Sequence, residues 1–429
     1  GCGMKPYASY KPSGVAWLNA DIPSQWISKR IKHVAAMQSG EGITAETIDQ
    51  SGTYPVYGGN GIRGFTAEKT HSGEFVLVGR QGALCGNVHH VVGDFWASEH
   101  AVVSALYAGD NPRWAAYILE FMNLGQYSMA AAQPGLAVDK IQQLQLPVPP
   151  PDEQQAIADY LDTETARINT LVQEKEELIG LLREAKLSTV SSILLGGLVG
   201  EIKKPSNTKW LGDVPASWVV CRVKHAVMRI EQGWSPECEN RLCAPGEWGV
   251  LKAGACNHGR FNQAEHKFLP ATLNPIPEYE VFAGDVLMSR ASGSADLVGS
   301  VAFVDEVQPH LMLSDKLFRL VPEEHVDGRY LAWALNTDAQ RRQILNCVRG
   351  AEGLARNITT TDIKQLWIAL PTLDEQKQLA VEANKVASGF DALITHTQEE
   401  IALLKELRTA TIADAVLGRV DVRSLNQKQ

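Results

Sequence analysis

No run of about 18 apolar residues occurs in this 429-residue chain, which excludes an ordinary membrane-spanning helix. The N-terminus lacks the succession of basic, apolar and small residues that marks a secretory signal, so a cytoplasmic location away from any membrane is expected. Gly1, Cys2 and Gly3 stand before Met4 and are read as an appendage to the native start. There is no G-x-x-x-x-G-K-[ST] phosphate loop, and no G-x-G-x-x-G follows a strand-like run, so the two common nucleotide-binding fingerprints are missing. Cysteine is sparse. Cys2, Cys85, Cys221, Cys238, Cys243, Cys256 and Cys347 show no C-x-x-C spacing, which points to reduced, structural thiols. Cys238 and Cys243 with His258 lack tight zinc spacing and an obvious fourth ligand, so no metal is expected.

Also absent is a basic excess. The formal charge of −9 argues against a sequence-independent nucleic-acid binder coated in lysine and arginine. Residues 1–150 carry 10 basic against 11 acidic groups and 206–371 carry 17 against 19, both close to neutral. The surplus sits in 151–205, with 6 against 10, and in 372–429, with 7 against 9. A near-neutral domain can still present a basic face, so charge alone decides nothing about DNA. With 45% hydrophobic and 21% charged residues the chain has a globular composition, and its length calls for two or more domains.

What the chain does contain is an internal duplication, the signal to seek first. Trp17-Leu18, Asp21-Ile22-Pro23-Ser24-Gln25-Trp26 and Arg30-Ile31-Lys32-His33 return as Trp210-Leu211, Asp213-Val214-Pro215-Ala216-Ser217-Trp218 and Arg222-Val223-Lys224-His225. The apolar run Glu74 to Arg80, followed by Gly82 and Gly86-Asn87-Val88, returns as Asp285 to Arg290, followed by Gly293 and Gly299-Ser300-Val301. Each run reads as a strand that ends in arginine beside a glycine-rich turn. Each copy then closes with Ile141-x-x-Leu144 or Ile363-x-x-Leu366, a proline-marked strand, and Asp152-Glu153-Gln154 or Asp374-Glu375-Gln376.

Prolines 147, 149, 150, 151 and 371 cannot continue a ladder or an earlier helix, so they mark the boundary. Asp152 is the expected N-cap, with Gln155 three residues on. From there to Leu194, and from Gln376 to Val416, apolar residues recur at helical spacings. The matched pairs are Ile168 with Phe390, Leu171 with Leu393, Leu182 with Leu404, Val190 with Ile412 and Leu194 with Val416. Glu174, Glu176 and Glu177 fill the opposite, solvated face. Gly196-Gly197 and Gly418 end the two helices in equivalent places.

Helices of about 40 residues reach roughly 60 Å, longer than a compact domain needs. The matching stripes predict a coiled coil, and the return of the chain to a second equivalent domain makes it antiparallel. The expected fold class is α+β: two α/β globular domains, residues 4–150 and 205–372, separated by two long helical spacer regions, 151–200 and 373–422, with pseudo-two-fold symmetry.

On the opening W-L…I-P-x-x-W of each copy, the G-D-V-L-M-S-R-like strand with its glycine turn and the P-x-x-D-E-Q helix entry, the chain resembles the specificity subunits of Type I restriction–modification enzymes. The resemblance runs from Met4 to the C-terminus. It implies two target-recognition domains, each reading one half of a bipartite site on double-stranded DNA, and helices that set the distance between the halves. It also implies partners: two modification subunits with S-adenosylmethionine and the adenine methyltransferase site, and restriction subunits with the ATP-driven motor and nuclease. This chain would then be non-catalytic and bind no cofactor itself. The lack of an N-P-P-aromatic segment agrees.

Sequence is read by side chains that reach base edges, arginine fitting guanine and asparagine or glutamine fitting adenine. The candidates therefore lie in glycine-rich loops. Arg80 with Gln81, and Arg290 with Ser292, arise at equivalent places; the alternative is a strand-end arginine in a structural salt bridge. Asn60 and Arg63 lie in Tyr57-Gly58-Gly59-Asn60-Gly61-Ile62-Arg63, which could equally be a plain hairpin turn. In the second copy Gly233-Trp234-Ser235-Pro236 leads to Arg241, with Lys252 nearby. A third loop precedes each closing strand, with Gln133 in one copy and Arg349, Arg356 and Asn357 in the other.

These loops differ between copies while the scaffold repeats, so two different half-sites are expected. If both domains approach one side of the duplex, their half-sites lie about one turn, roughly 34 Å, apart. His89-His90 in a strand would point to opposite faces, which with His100 argues against a metal site. Trp17, Trp26, Trp210 and Trp218 are expected in core or interface. Two other classes compete with this one: a metal-dependent nuclease, for which no acidic cluster with a nearby lysine repeats in both copies, and a coiled-coil scaffold that binds only proteins.

Overall fold

The computed structural model describes residues 6–82, 84–128, 135–196, 202–350 and 356–424. The chain divides into a first unit, residues 1–176 with 398–429, and a second, residues 177–397. Each unit therefore contains half of each long helix.

In the first unit, strand Tyr10–Pro12 pairs with Asp21–Pro23, and Ile27–Arg30 pairs antiparallel with Gln145–Val148. A six-stranded sheet runs in the order 35–39, 101–106, 71–79, 88–97, 54–58, 61–66. Its helix Pro112–Phe121 is capped by Asn111, whose side chain accepts the Trp114 N–H. The second unit repeats the plan. Lys203–Pro205 pairs with Asp213–Pro215, Val219–Arg222 with Trp367–Leu370, and a four-stranded sheet has the order 227–232, 317–322, 286–289, 301–303. Helix Gly328–Leu335 is capped by Asp327 in the same way, through the Tyr330 N–H.

The four shared strands thus keep one order and one antiparallel sense. Beyond them each copy adds a hairpin beside a parallel strand. The first unit extends its sheet with Tyr54–Gly58, parallel to Val88–Ala97, and its hairpin partner Gly61–Thr66. The second repeats this as a separate three-stranded sheet, Gly249–Leu251 lying antiparallel to His266–Phe268 and parallel to Leu311–Met312, with Val250 opposite Met312 as Val56 is opposite Trp96.

The duplicated motifs acquire a physical purpose here. Trp26 and Trp218 are fully buried, and each indole N–H donates to the glutamate of the helix-entry triplet, Glu153 at 2.8 Å and Glu375 at 2.9 Å. The next residue, Gln154 or Gln376, has no solvent exposure. Its amide nitrogen donates to the carbonyl of Pro149 or Pro371, and its amide oxygen accepts the backbone N–H of the helix-capping Asn111 or Asp327. The triplet therefore clamps the opening strand turn, the closing strand and the sheet-side helix together. Buried polar groups hold such places because an unpaired one costs about 1–3 kcal/mol. Trp17 and Trp210 are only half-buried, and the Trp17 indole donates to the Gln145 carbonyl.

The long helices run over Pro151–Gly196 and Leu373–Val416. Asp152 is not the N-cap: Pro151 already occupies the first helical position, where its missing N–H costs nothing, and Pro150 offers the carbonyl that accepts from Gln154. Within the first unit the helices are antiparallel, since Lys175 bonds Glu400 while Ile157, Ala158 and Leu161 share a core with Ile412, Ala415 and Val416. On the second helix Ala383, Ala387, Ile394, Thr397 and Ile401 are buried at heptad-like spacing. Leu393, expected in that stripe, is 53% exposed, because the seam passes one residue on through Ile394. In the second unit Lys186 on the first helix bonds Asp391 on the second at 2.8 Å, a polar contact that pins the register. Gly418 adopts φ +67° and lies so close to Pro23 that a Cβ would sit 2.5 Å from the ring.

Candidate nucleic-acid interface

At the ends of the two central strands the copies share the same four backbone hydrogen bonds. In the first unit Gly79 N–H donates to Asn87 O at 2.8 Å, Arg80 to His100 O at 2.8 Å, Gly86 to Gly79 O at 2.7 Å and Leu136 to Arg80 O at 2.9 Å. In the second, Ser289 donates to Ser300 O at 2.8 Å, Arg290 to Lys316 O at 2.8 Å, Gly299 to Ser289 O at 2.7 Å and Ile358 to Arg290 O at 3.1 Å. Arg80 and Arg290 are structural equivalents, each held where three loops meet.

In the first unit these loops approach backbone to backbone. A Cβ on Gly79 would lie 2.0 Å from the Gly59 carbonyl oxygen, and one on Gly59 2.6 Å from that of Gln81. Glycine is required because the 58–61 turn and the 79–82 loop touch. The turn closes the hairpin, with Gly58 opposite Gly61, so the hairpin and the exposed Asn60 are one feature rather than alternatives. Asn60 accepts from the Asn87 amide, and Gln81 Oε1 lies 2.8 Å from His100 Nδ1. Arg63 is exposed, and its stem lies over Gly58, where a Cβ would meet its Cδ at 2.3 Å. Among the described residues the Arg80 side chain has no hydrogen bond or ion pair. Gln133 lies outside the described residues. Its neighbour Gly135 bridges the Gln81 backbone, so the third loop leads into the same place.

In the second unit Arg290, Ser292, Arg349, Arg356 and Asn357 converge. Ala291–Ser292 pairs antiparallel with Arg356–Asn357, and Arg349 exchanges backbone hydrogen bonds with Asn357 at 3.0 Å. Arg290 is half-buried and donates from Nη1 to the Asp315 carbonyl at 3.0 Å. Burial opposes charge on the Asp315 carboxyl, but hydrogen bonds from Ser235 and Lys316 and the nearby Arg290 guanidinium together hold it below the ordinary aspartate range. Arg349 reaches out, its side chain 71% exposed, with a 3.4 Å contact to Asp362.

Arg241 and Lys252 flank the separate three-stranded sheet, Arg241 in a bend beside it and Lys252 directly after Gly249–Leu251. The Arg241 guanidinium is bidentate to Glu247 at 2.7 and 3.0 Å and lies 3.4 Å from the centre of the Phe268 ring. Lys252 lies 3.8 Å from Glu265. His100 and Lys316 are residues the sequence reading passed over as partners of the arginines. The available signal was the triplet Ser98-Glu99-His100, which returns as Ser314-Asp315-Lys316.

His89, half-buried, and exposed His90 take opposite faces of their strand, and His90 bonds Glu74. Among the described residues no group of three His, Cys, Asp or Glu is placed to hold a metal ion. Cys243 is engaged structurally, its Sγ donating to the Trp248 carbonyl and its backbone N–H to His266 Nε2. Among the described residues no helix is long and apolar enough to cross a membrane.

Residues 23–179 match the family described as Type I restriction modification DNA specificity domain. The chain is 42% identical over 173 residues to the Type I restriction enzyme EcoprrI specificity subunit of Escherichia coli, covering 39% of this chain and 43% of that protein. It is 29% identical over 204 residues to the EcoEI specificity subunit of Escherichia coli, covering 47% and 32%, and 24% identical over 285 residues to the EcoKI specificity subunit of strain K12, covering 65% and 58%. The alignments thus take in less than two thirds of each relative's own length. A chain from a structure addressing complex assembly and conformational transition of the type I R-M system has the same fold, with a TM-score of 0.67 at 15% identity, over 94% of this chain and 100% of that one. Residues 23–179 thus carry the likeness to the Type I restriction modification DNA specificity domain, and the chain as a whole is similar in sequence and in fold to specificity subunits of Type I restriction enzymes.

Proposed function

We propose that this chain reads an asymmetric, bipartite site on double-stranded DNA, one half through each unit, and brings that selectivity to modification and restriction subunits that carry the chemistry. One observation carries the reading: equivalent arginines, Arg80 and Arg290, are held by the same backbone hydrogen bonds, while the loops around them differ in sequence. A shared mount with different surroundings suits two readers of two half-sites. The side chains gathered there are of the types that pair with base edges in the major groove, Arg with guanine and Asn or Gln with adenine. Arg349 and Arg63, exposed and flexible-stemmed, suit phosphate contacts, which position without specifying.

The named relatives are specificity subunits of Type I restriction enzymes, which supports partners of the modification and restriction classes; two methyltransferase subunits that bind S-adenosylmethionine and restriction subunits that use ATP, with no cofactor on this chain, are part of the proposal. The long helices, 46 and 44 residues, are assigned the spacer. Lengthening the first should lengthen the unread segment and leave both half-sites unchanged.

Mapping methylated adenines in DNA exposed to the full chain with a Type I modification subunit tests the proposal. Two dissimilar half-sites with a constant unread spacer are expected. Methylation with no sequence preference would overturn it in favour of a scaffold that binds only proteins.

A further inference from the structure

The shared hydrogen bonds pair Ser98-Glu99-His100 with Ser314-Asp315-Lys316, in agreement with the parallel strand pairings Val56–Trp96 and Val250–Met312 just before them. In each, the serine hydroxyl accepts the backbone N–H two residues on, at 3.4 Å in His100 and 3.3 Å in Lys316. The serine carbonyl accepts from Ala101 at 2.9 Å or Leu317 at 3.3 Å, and the third residue's carbonyl takes the N–H of Arg80 or Arg290. An acid and a base are therefore mounted beside each candidate reading arginine by one repeated turn.

In the second unit the base is Lys316, which donates to Asp315 at 3.1 Å. In the first it is His100, with Nε2 3.1 Å from Glu99 Oε1 and Nδ1 2.8 Å from Gln81 Oε1. An amide oxygen can only accept, so Nδ1 donates to it. Among the described residues Glu99 and Gln81 are the side chains bonded to the ring, and the adjoining Arg80 meets His100 through its backbone N–H. With Oε1 turned inward, the Gln81 amide nitrogen has no partner among the described residues, on a side chain that is exposed.

We propose that His100 is a positioning residue that holds the Gln81 amide with its nitrogen outward. Arg80 and Gln81 then present only donors, and the first unit selects guanine, whose major-groove edge carries two acceptors, N7 and O6. A glutamine amide free to turn would pair with adenine as well, offering oxygen to N6 and nitrogen to N7. The inference rests on the DNA-reading role proposed above and specifies the base at one position of one half-site. Lys316 at the equivalent place shows that the turn accommodates a residue that is always a donor there.

The test is selection from a randomised duplex library by the full chain with a Type I modification subunit. Wild type should prefer guanine over adenine at one position of the first half-site by about tenfold or more, the range set by one good base-edge pair. His100→Ala should admit adenine there and leave the second half-site unchanged. His100→Lys should restore the guanine preference, which a merely structural role would not predict. Gln81→Glu, which offers only acceptors, should abolish it and favour cytosine. Sequence-selective binding in which His100→Ala, or Gln81→Glu, keeps the guanine preference would overturn the inference alone. A wild-type complex with no sequence preference would instead overturn the DNA-reading role.

Discussion

Replacing Glu153 by alanine should loosen the first unit by an amount that the geometry sets. The Trp26 ring is fully buried and its N–H donates to Glu153 Oε1 at 2.8 Å, while the Glu153 side chain is only 3% exposed. Removing the carboxylate leaves a buried indole donor without a partner, a loss of about 1–3 kcal/mol. Trp26→Phe keeps most of the ring but takes the indole N–H from the carboxylate, which retains Arg423 at 4.0 Å and loses a charge-assisted bond worth about 1.5–3 kcal/mol. Because the two changes remove one interaction, the double variant should cost clearly less than the sum, with a coupling energy of about 1–2 kcal/mol. Hydrogen exchange on the full chain reads this peptide by peptide. Protection around residues 20–30 and 150–160 should fall about tenfold, the equivalent of about 1.4 kcal/mol, while peptides around Trp218 and Glu375 keep theirs. Strictly additive losses, or unchanged protection in either single variant, would refute the clamp.

Two further outcomes follow from the reading centres. Gly79→Ala would drive a Cβ to 2.0 Å from the Gly59 carbonyl, so the two loops must separate; a cost of about 1–3 kcal/mol and loss of selectivity at the first half-site are expected, whereas Gly293→Ala, with no atom within 4 Å, should be silent in thermal unfolding and binding. The Asp315 carboxyl is held below its ordinary value, so the folded state binds its proton less readily than the unfolded chain. Its stabilising contribution is then complete above pH about 4 and disappears as the pH falls through the lowered folded value. Urea titrations of wild type and Asp315→Asn should differ at pH 7 and converge on acidification; a gap that widens on acidification would contradict the sign.

The duplication, the helix entries and the placement of Arg80 and Arg290 were legible in the sequence because local chemistry decides them: prolines break ladders, glycines permit close turns, and heptad spacing buries a stripe. Other features depended on tertiary contacts. Asp152 has the residue type of an N-cap, yet the adjacent Pro151 is better suited to begin the helix. Leu393 and Ile394 are neighbours of equal hydrophobicity, and only the packing of the partner helix chooses between them. Arg241 is a loop arginine in the sequence, and only the fold brings Glu247 and the Phe268 ring to its guanidinium. Its sheet is the counterpart of the 54–66 hairpin in the first copy, but the two share too few side chains for the repeat to show there in the sequence. The pairing of His100 with Lys316 hid behind unlike side chains on a common backbone.

The central claim, that each unit reads one half-site through its equivalent arginine, is tested most directly by mapping the methylated sites specified by Arg80→Ala and Arg290→Ala in complexes with a modification subunit. Arg80→Ala should relax base preference in one half-site and leave the other and the spacer unchanged, and Arg290→Ala should do the reverse. Complexes that still methylate but in which either substitution relaxes both halves, or neither relaxes any position, would contradict the account.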